Sequence, residues 1–384
     1  MRSSLNRRRA RWAAPVAVAG AIALGSWIPT VTASASTPDL AHLSAAQVLA
    51  KASHPTIKAF SGTVEVTSNL GLPDLGSVTG GDSQSTKSAT GFDPTTLLSG
   101  VHDINVWDNG AQQQRLQLPS QLAETDFVHN GKDAYLYSSS SQAVTHLVPG
   151  ARSGAPHSSV SGGGDVSKGG ADTPNGQVPM TPEQVAQKFL DHIDPSTTVT
   201  VASPVYVVGR PAYQLSLAPK ADTPGAAAST VSNVSMSVDS ATGMVLCVTV
   251  NAKGASPAFM VSFTNKSGAN RFTTAVPAAS NFAAPTGTTT KTETINPSGG
   301  FTHHSGPADG SKPTVTGGPW AEVVTISHAN LGKSSKELDA LTTPVQGSSA
   351  RLLSTSVVNA LVFPDGKILV GFVTPGALEA AAAG

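Results

Sequence analysis

Two short runs of strand-forming residues each lead into a turn that contains an Asn-Gly pair. Asp103 to Trp107 precedes Asp108-Asn109-Gly110, and Asp126 to His129 precedes Asn130-Gly131-Lys132. An Asn-Gly pair between such runs is among the strongest local signals for a β-hairpin, because these residues accept the positive φ of a tight turn. The chain is therefore predicted to fold around antiparallel hairpins.

Further segments extend this pattern to about ten strands and two helices. The helices are predicted at Ser44 to Ala52, with Ser44 as N-cap, and at Thr181 to about His192, with Pro182 in the first turn. The other predicted strands are Phe60 to Ser68, Gln112 to Leu118, Ala134 to Tyr137, Thr145 to Val148, Val199 to Ala202 with Tyr206 to Val208, Ala212 to Leu217, Val231 to Val238, Met244 to Val250, Phe259 to Thr264 and Arg271 to Thr273. This order predicts an α+β fold: one large, curved antiparallel sheet with helices against one face.

The N-terminus has the three-part layout of a signal peptide. Five arginines precede an apolar stretch from Ala13 to Ile28, and Ala33-Ser34-Ala35 follows as a small-x-small cleavage site. We expect export and cleavage near Ala35, giving an extracytoplasmic or secreted protein. The alternative is an uncleaved N-terminal anchor, and the pattern does not separate Sec from twin-arginine export.

The composition argues against several classes of partner and site. Without the five signal arginines the chain has 19 basic and 24 acidic residues, a net charge of −5. Nucleic acid is excluded as a partner, since phosphate binding needs a clustered positive face. The single cysteine, Cys247, allows no internal disulfide and no CxxC site, and its apolar neighbours predict a buried structural thiol.

Segments rich in Gly, Ser, Thr and Pro divide the chain. Residues 1–35 are the predicted signal peptide, and 36–284 are a sheet domain that contains a disordered insertion at 149–177. A flexible linker is predicted at 285–319. A small C-terminal α+β module follows at 320–384, with a strand at Ala321 to Ile326, a helix around Ser334 to Leu341, and a hairpin. The arms of the hairpin are Ser354 to Phe363 and Ile368 to Val373, and its turn is Pro364-Asp365-Gly366.

No motif for catalysis, metal or cofactor binding is complete. GxSxG, HExxH, EF-hand and dinucleotide patterns are absent, and Gly332-Lys333-Ser334 lacks the earlier glycine of a phosphate loop, where Ser327 stands. His303-His304 lies in the linker. His129 and His146 flank hairpin strands, and together with Asp126 and Glu124 they could form a catalytic site. The alternative is that the two histidines are exposed residues at strand ends. The sequence therefore predicts a protein that is not an enzyme and holds neither metal nor cofactor.

A curved sheet covered by helices has a concave apolar face that suits acyl chains. The alternative is a fully packed core, and the residue pattern is compatible with both. The predicted lining residues are Val64, Val66, Trp107, Leu136, Tyr206, Leu215 and Phe259.

The order of several short motifs resembles a known superfamily. In sequence they are Phe60-Ser61-Gly62-Thr63-Val64, Leu98-Ser99-Gly100, Val106-Trp107-Asp108-Asn109-Gly110, Arg115-Leu116, Glu124-Thr125-Asp126, Asn130-Gly131-Lys132, Thr145-His146-Leu147, Val208-Gly209-Arg210-Pro211-Ala212-Tyr213, Val238-Asp239 and Thr242-Gly243. Over roughly Ser44 to Pro277 the chain resembles the exported actinobacterial branch of the outer-membrane lipoprotein carrier (LolA) and sigma-E regulatory protein (RseB) superfamily.

The resemblance implies a half-open β-barrel with a helical lid that holds a lipid or the acyl chains of a lipoprotein. In the regulator branch, it implies a sensor that binds a membrane anti-sigma factor. We therefore expect a non-catalytic extracytoplasmic binding protein, with the anti-sigma regulator as the alternative and an envelope enzyme as a third hypothesis.

Overall fold

The structure is a computed structural model. It describes residues 37–71, 97, 99–120, 123–149, 181–190, 193, 195–254, 257–266, 270–285, 289–295, 313–327 and 341–383. The predicted signal peptide, nearly all of the 149–177 insertion, His303-His304, Gly332-Lys333-Ser334 and, except for Leu341, the helix predicted at Ser334 to Leu341 lie outside these residues.

A twelve-stranded sheet contains most of the described residues. In space its strands follow the order β12-β6-β5-β4-β3-β2-β1-β11-β10-β9-β8-β7. Their bounds are β1 (Phe60–Ser68), β2 (Gly100–Asp108), β3 (Gln113–Ser120), β4 (Ala123–Asn130), β5 (Asp133–Ser138), β6 (Ala143–Pro149), β7 (Thr197–Val207), β8 (Arg210–Pro219), β9 (Val231–Asp239), β10 (Val245–Ala252), β11 (Phe259–Thr264) and β12 (Thr289–Ile295).

Both Asn-Gly hairpins are confirmed. Gly110 and Gly131 have φ values of +78° and +67°, the left-handed conformation that the turn type requires. Asp108 adds a side-chain bond in the first turn, where its Oδ1 accepts the Gly110 N–H at 2.8 Å. These local turns set the antiparallel register of β2 with β3 and of β4 with β5.

The prediction of a purely antiparallel sheet is wrong at one edge. β12 pairs with β6 in parallel, from Thr289 opposite Ala143 to Ile295 opposite Pro149, so the sheet is mixed. β12 lies in the range predicted as a linker. Its Thr-rich sequence has no apolar alternation, and pairing with a strand so distant in the chain leaves no local signal.

Two other strand predictions have different outcomes. The strand predicted at Val199 to Ala202 with Tyr206 to Val208 is confirmed as β7, which has a register irregularity between Ala202 and Val205. Arg271 to Thr273 is not a strand: only Thr273 forms an isolated bridge, with Ser61. The chain then reaches a 3₁₀ turn, Ala279–Phe282, which packs against β3 and β4.

Two short helices pack against the large sheet. α1 (Ala45–Ser53) begins at Ser44 with a capping box, in which Ser44 Oγ accepts the Gln47 N–H and Gln47 Oε1 accepts the Ser44 N–H. α2 (Pro182–Leu190) is capped in the same way by Thr181 and Gln184. α1 packs against β7, β8 and β9, and α2 against β10 and β11.

A six-stranded sheet is formed by the C-terminal part of the chain. Its order is β13-β14-β18-β17-β16-β15, and its elements are β13 (Thr314–Thr316), β14 (Val323–Ile326), β15 (Thr343–Pro344), β16 (Arg351–Ser354), β17 (Asn359–Val362), β18 (Ile368–Gly371) and the helix α3 (Pro375–Ala383). The predicted turn at Pro364-Asp365-Gly366 is confirmed, with Gly366 N–H bonded to Phe363 O at 3.0 Å and φ of +83°. The predicted arm Ser354 to Phe363 is broken by a turn at 355–358, and α3 was not predicted.

The two sheets are joined by backbone hydrogen bonds. Thr230 N–H donates to Phe372 O at 2.9 Å, Thr374 N–H to Ala228 O at 2.8 Å and Ser356 N–H to Leu70 O at 2.9 Å. Val357 and Val358 belong to the hydrophobic core of the large sheet. In the part of the chain that the structure describes, the fold is mostly β, and the large sheet stays open because β7 and β12 do not pair.

Candidate binding face of the large sheet

The strand register divides the large sheet into an apolar face and an opposite face that is mostly polar but also carries the buried Val128 and Val144. The second is called the polar face below. Residues that pair across neighbouring strands point to the same side. One row of the apolar face consists of Leu215, Met236, Val248, Val261 and Val66, which are successive partners from β8 to β1.

A second apolar row crosses the other half of the sheet. Its members, from β1 to β6, are Gly62, Val106, Leu116, Phe127, Leu136 and Thr145.

The two halves of the apolar face differ in burial. On β7 to β11 the face is covered by α1 and α2, and Leu215, Met236 and Val248 are fully buried. On β3 and β4 the large apolar side chains Leu116, Leu118 and Phe127 are only half-buried. The β3–β6 half therefore retains accessible apolar surface on β3 and β4, next to a sealed core, whereas Leu136 and Leu147 on β5 and β6 are buried.

Six of the seven predicted lining residues lie on the apolar face. Val64, Val66, Leu215 and Phe259 are buried in one hydrophobic core, and Leu136, opposite Phe127, is 8% exposed.

The remaining two differ from this group. Tyr206 pairs with Pro211, which is on the same side of β8 as Leu215, but it is 47% exposed on the edge strand β7. Trp107 pairs with Ser61 and Arg115 on the opposite face. Whether the six face residues line a ligand stays a prediction.

A cavity of about 280 Å³ lies away from this face, where the loop 224–228 meets the C-terminal sheet and α3. Small apolar side chains dominate its lining, and none of the seven predicted residues takes part. Among the lining residues are Pro224, Gly225, Ala228, Ala321, Val373 and Ala377.

Solved structures with a related arrangement exist. The fold is similar to that of MucB. The Pseudomonas aeruginosa MucA/MucB complex has a TM-score of 0.39 at 14% identity, over 88% of this chain and 95% of that chain. A LolA superfamily protein from Nitrosomonas europaea has a TM-score of 0.20 at 11% identity, over 60% of this chain and 92% of that chain. A putative outer membrane lipoprotein-sorting protein domain from Vibrio parahaemolyticus has a TM-score of 0.20 at 11% identity, over 58% of this chain and 76% of that chain.

The predicted structural similarity to MucB and to LolA superfamily proteins is thus confirmed, at low sequence identity. No family profile matches the chain, and no curated protein matches it. At these identities the similarity concerns the fold alone.

The polar face of β2 to β4 contains a buried ion pair. Arg115 bonds Asp126, whose side chain is fully buried, and the guanidinium carbon of Arg115 lies 5.3 Å from the centre of the Trp107 ring. Burial raises the pKa of Asp126, although the Arg115 charge works in the opposite direction. Arg115 Nε and Asp126 Oδ1 are buried without a hydrogen-bond partner in the described part of the molecule.

The structure does not bring together His129, His146, Asp126 and Glu124, the residues considered for an enzymatic site. His129 pairs with Gln114 and lies on the apolar face, whereas Asp126 lies on the polar face of the same strand. His146 is stacked on Tyr135 at 4.6 Å, with Nε2 2.8 Å from Asp133 Oδ1.

Glu124 is occupied in a different contact, since its Oε2 accepts a bond from Gln117 at 2.9 Å. In the described ranges, no group of three or more His, Cys, Asp or Glu residues is arranged to hold a metal ion. No helix in these ranges is long and apolar enough to cross a membrane.

Cys247 is half-buried as a residue. It lies on the polar face opposite Ser262 and Ser237, with Sγ 3.7 Å from Thr249 Oγ1. Burial raises the pKa of its thiol, which disfavours the reactive thiolate.

Residues of the last three motifs, which lie between Val208 and Gly243, form a structural cluster where β8 begins and β9 ends. Arg210 binds Asp239 through two bonds, Nε to Oδ1 at 2.9 Å and a terminal nitrogen to Oδ2 at 2.7 Å. Asp239 also accepts the Thr242 N–H at 2.9 Å. Burial acts to raise the pKa of Asp239, but the bonds from Arg210 and Thr242 outweigh it and hold this pKa below its ordinary value.

Two carboxyl groups near the apolar face were missed by sequence reasoning. Burial raises the pKa of Asp108 to about 6, against the bonds from Gly110 and Gln114. Burial likewise raises the pKa of Glu183, in the first turn of α2, to about 7. An acidic residue in a first helical turn is ordinary by sequence, and only the docking of α2 on β10 shows that this one is enclosed.

Proposed function

We propose that the chain is a non-catalytic binding protein of the cell envelope that holds a lipid or the acyl chains of a lipoprotein. The ligand lies on the β3–β6 half of the apolar face. The observation that carries this proposal is the half-buried state of Leu116, Leu118 and Phe127, beside a core that is sealed by two helices. Apolar surface of this kind gains about 25 cal/mol per Å² when an acyl chain covers it.

The proposal includes the organisation expected from the sequence. Residues 1–35 are removed on export, 36–284 form a half-open β-barrel with α1 and α2 as its lid, and 320–384 form the C-terminal module. The open order of the sheet and the helices on one of its faces support the half-barrel. Residues 285–319 connect the two parts, with β12 attached to the sheet edge.

The test is ligand binding by the purified mature protein. Native mass spectrometry reports co-purified lipid, and titration with a fluorescent fatty acid gives a Kd. We expect Phe127→Gln to raise this Kd at least about tenfold, because covering a phenyl ring is worth about 1.5 kcal/mol or more. Tyr206→Gln, on the exposed edge strand, is the matched control and leaves the Kd unchanged. A protein that carries no lipid and takes up no fatty acid refutes the proposal.

A regulatory protein that binds a membrane anti-sigma factor is the alternative. It is favoured by the polar face, where half-buried Trp107, Arg115, Tyr135 and Tyr137 supply the aromatic and arginine side chains enriched at protein interfaces. MucB has been solved in complex with MucA(peri). Pull-down from envelope extracts separates the two functions, since only the regulator captures one specific membrane protein in stoichiometric amount.

A further inference from the structure

The cavity of about 280 Å³ between the loop 224–228 and the C-terminal sheet has a buried floor and an open rim. Its floor is formed by Ala321, Val323 and Val373, which are all buried. Thr316 and Ala381 line the same cavity and are exposed. A molecule in solution can therefore enter at the rim and reach buried apolar surface.

The lining of the cavity is aliphatic. Its described side chains are those of alanine, valine and proline, three positions are glycines, and the one hydroxyl group belongs to Thr316 at the rim. No charged or aromatic side chain takes part among these lining residues. Apolar cavities stay dry and accept apolar ligands. The lining thus favours a saturated hydrocarbon group over a charged group, which needs a partner, or a ring, which gains from stacking on aromatic side chains.

Close backbone contacts fix the loop that forms one wall. An added Cβ at Gly318 would lie 2.8 Å from the carbonyl oxygen of Pro224, so the backbone of the two segments is in direct contact there. At the other end of the loop 224–228, Thr374 N–H donates to Ala228 O at 2.8 Å. The loop is held at both ends against the C-terminal part of the chain, and the cavity is therefore formed before a ligand arrives.

The helix α3 supplies another wall. Leu378 is fully buried in the C-terminal core and fixes the position of the helix. Ala377 and Ala381, one helical turn apart, line the cavity. A larger side chain at either position would occupy part of the space. The volume of the cavity is thus set by two alanines and is not imposed by the path of the backbone.

We propose that this cavity binds the alkyl end of a single-chain amphiphile, up to about nine carbon atoms, with the polar end of the ligand at the rim. The length limit follows from the volume, since a group of the size of a water molecule or a methylene takes about 30 Å³ in a liquid and the cavity measures about 280 Å³. The site shares no residue with the apolar rows of the large sheet. It goes beyond the proposed function and does not rest on it.

Titration of the full mature protein with straight-chain 1-alkanols, from butanol to dodecanol, tests the site. Binding at the cavity is read from the ¹³C-methyl signals of Ala228, Ala321 and Ala377 in alanine-labelled protein. We expect the Kd to fall about fourfold for each added methylene until about nine carbons are reached, and then to stay constant. A Kd that is independent of chain length, or the absence of shifts at these three methyl groups, overturns the proposal.

Substitutions separate this site from the apolar face. Ala377→Leu adds an isopropyl group to the wall, so we expect the Kd of octanol to rise at least about tenfold and the length limit to move to shorter chains. Ala380→Leu is the matched control, because it makes the same change at an exposed position of α3 outside the lining. Ala380→Leu and Phe127→Gln, the latter on the apolar face, should both keep the wild-type Kd of octanol at the alanine methyl groups.

The remaining outcomes also decide. If Ala377→Leu does not fold, Ala381→Leu, at the exposed rim of the same wall, is expected to show the same loss. A Kd of octanol that the wall variant leaves unchanged refutes the site, and so does an equal rise in Ala380→Leu. A fatty-acid Kd that Phe127→Gln does not change, together with octanol shifts at the three alanine methyl groups, refutes the proposed function and leaves this site standing.

Discussion

Replacing Arg210 by Met removes the cation from a nearly buried ion pair. Asp239 is 1% exposed and receives two bonds from Arg210. The variant keeps a long side chain but leaves the carboxylate with only the Thr242 donors. It also removes the contact of the guanidinium with the Phe272 ring, 5.7 Å from its centre.

The expected loss of unfolding free energy at pH 7 is about 3 kcal/mol. Breaking a buried ion pair costs about 3–5 kcal/mol, and the lower end applies because the side chain of Arg210 is 29% exposed. In the wild type the pKa of Asp239 is held below its ordinary 3.8. The pair therefore contributes fully above that ordinary value, and its contribution is lost as the pH falls through the native pKa.

Urea denaturation at pH 7 and near pH 4 measures both effects. We expect the difference between the wild type and Arg210→Met to shrink at the lower pH, because the unpaired Asp239 of the variant takes up a proton more readily than the paired one. The double variant with Asp239→Asn is the control and recovers part of the loss at pH 7. A loss below about 1 kcal/mol, or an equal loss at both pH values with an unchanged m-value, refutes the reasoning.

Two further pairs of substitutions test the packing. At Gly243, with φ of +79°, an added Cβ would collide with the carbonyl oxygen of Lys51. We expect Gly243→Ala to lower the free energy of unfolding, measured by heat or urea, by more than about 2 kcal/mol. Gly131→Ala, where φ is positive but the space is free, is the control and should lower it by about 1 kcal/mol. Equal losses at the two glycines contradict the close approach of α1. Leu215→Ala removes a fully buried core side chain and should cost about 3 kcal/mol, whereas Tyr206→Ala, at an exposed edge position, should cost less than about 1 kcal/mol. Similar losses for these two variants contradict the difference in burial between the core and the edge strand.

Local chemistry explains which parts of the fold were predictable. The Asn-Gly turns and the Pro364-Asp365-Gly366 turn are encoded in adjacent residues, so the hairpins were found with near-correct bounds. The parallel pairing of β12 depends on a strand that is distant in the chain, so the segment from Thr289 to Ile295 has the sequence of a linker. The 3₁₀ turn and the bridge at Thr273 likewise depend on tertiary contacts.

The candidate face was only partly predictable, for a reason visible in β2. Val106 and Trp107 are adjacent in sequence and therefore lie on opposite faces of the strand. Both are apolar, so hydrophobicity alone does not choose between them. The choice comes from the partners of Val106, Gly62 and Leu116, which belong to the apolar row. Glu183 was unpredictable in the same sense, because its enclosure depends on where α2 docks.

The arrangement of the two apolar rows links ligand binding to the helix. Val261 on β11 pairs with Val66 on β1, and β1 is the neighbour of β2, which leads to Leu116 on β3. If α2 leaves β10 and β11, it therefore uncovers apolar surface that adjoins the β3–β6 half. An acyl chain that is too long for the β3–β6 half can extend onto this surface only if α2 moves. While α2 stays docked, lengthening an acyl chain beyond the β3–β6 half should therefore leave its Kd unchanged. A series of fluorescent fatty acids of increasing length measures this, and a Kd that keeps falling with chain length contradicts the reasoning.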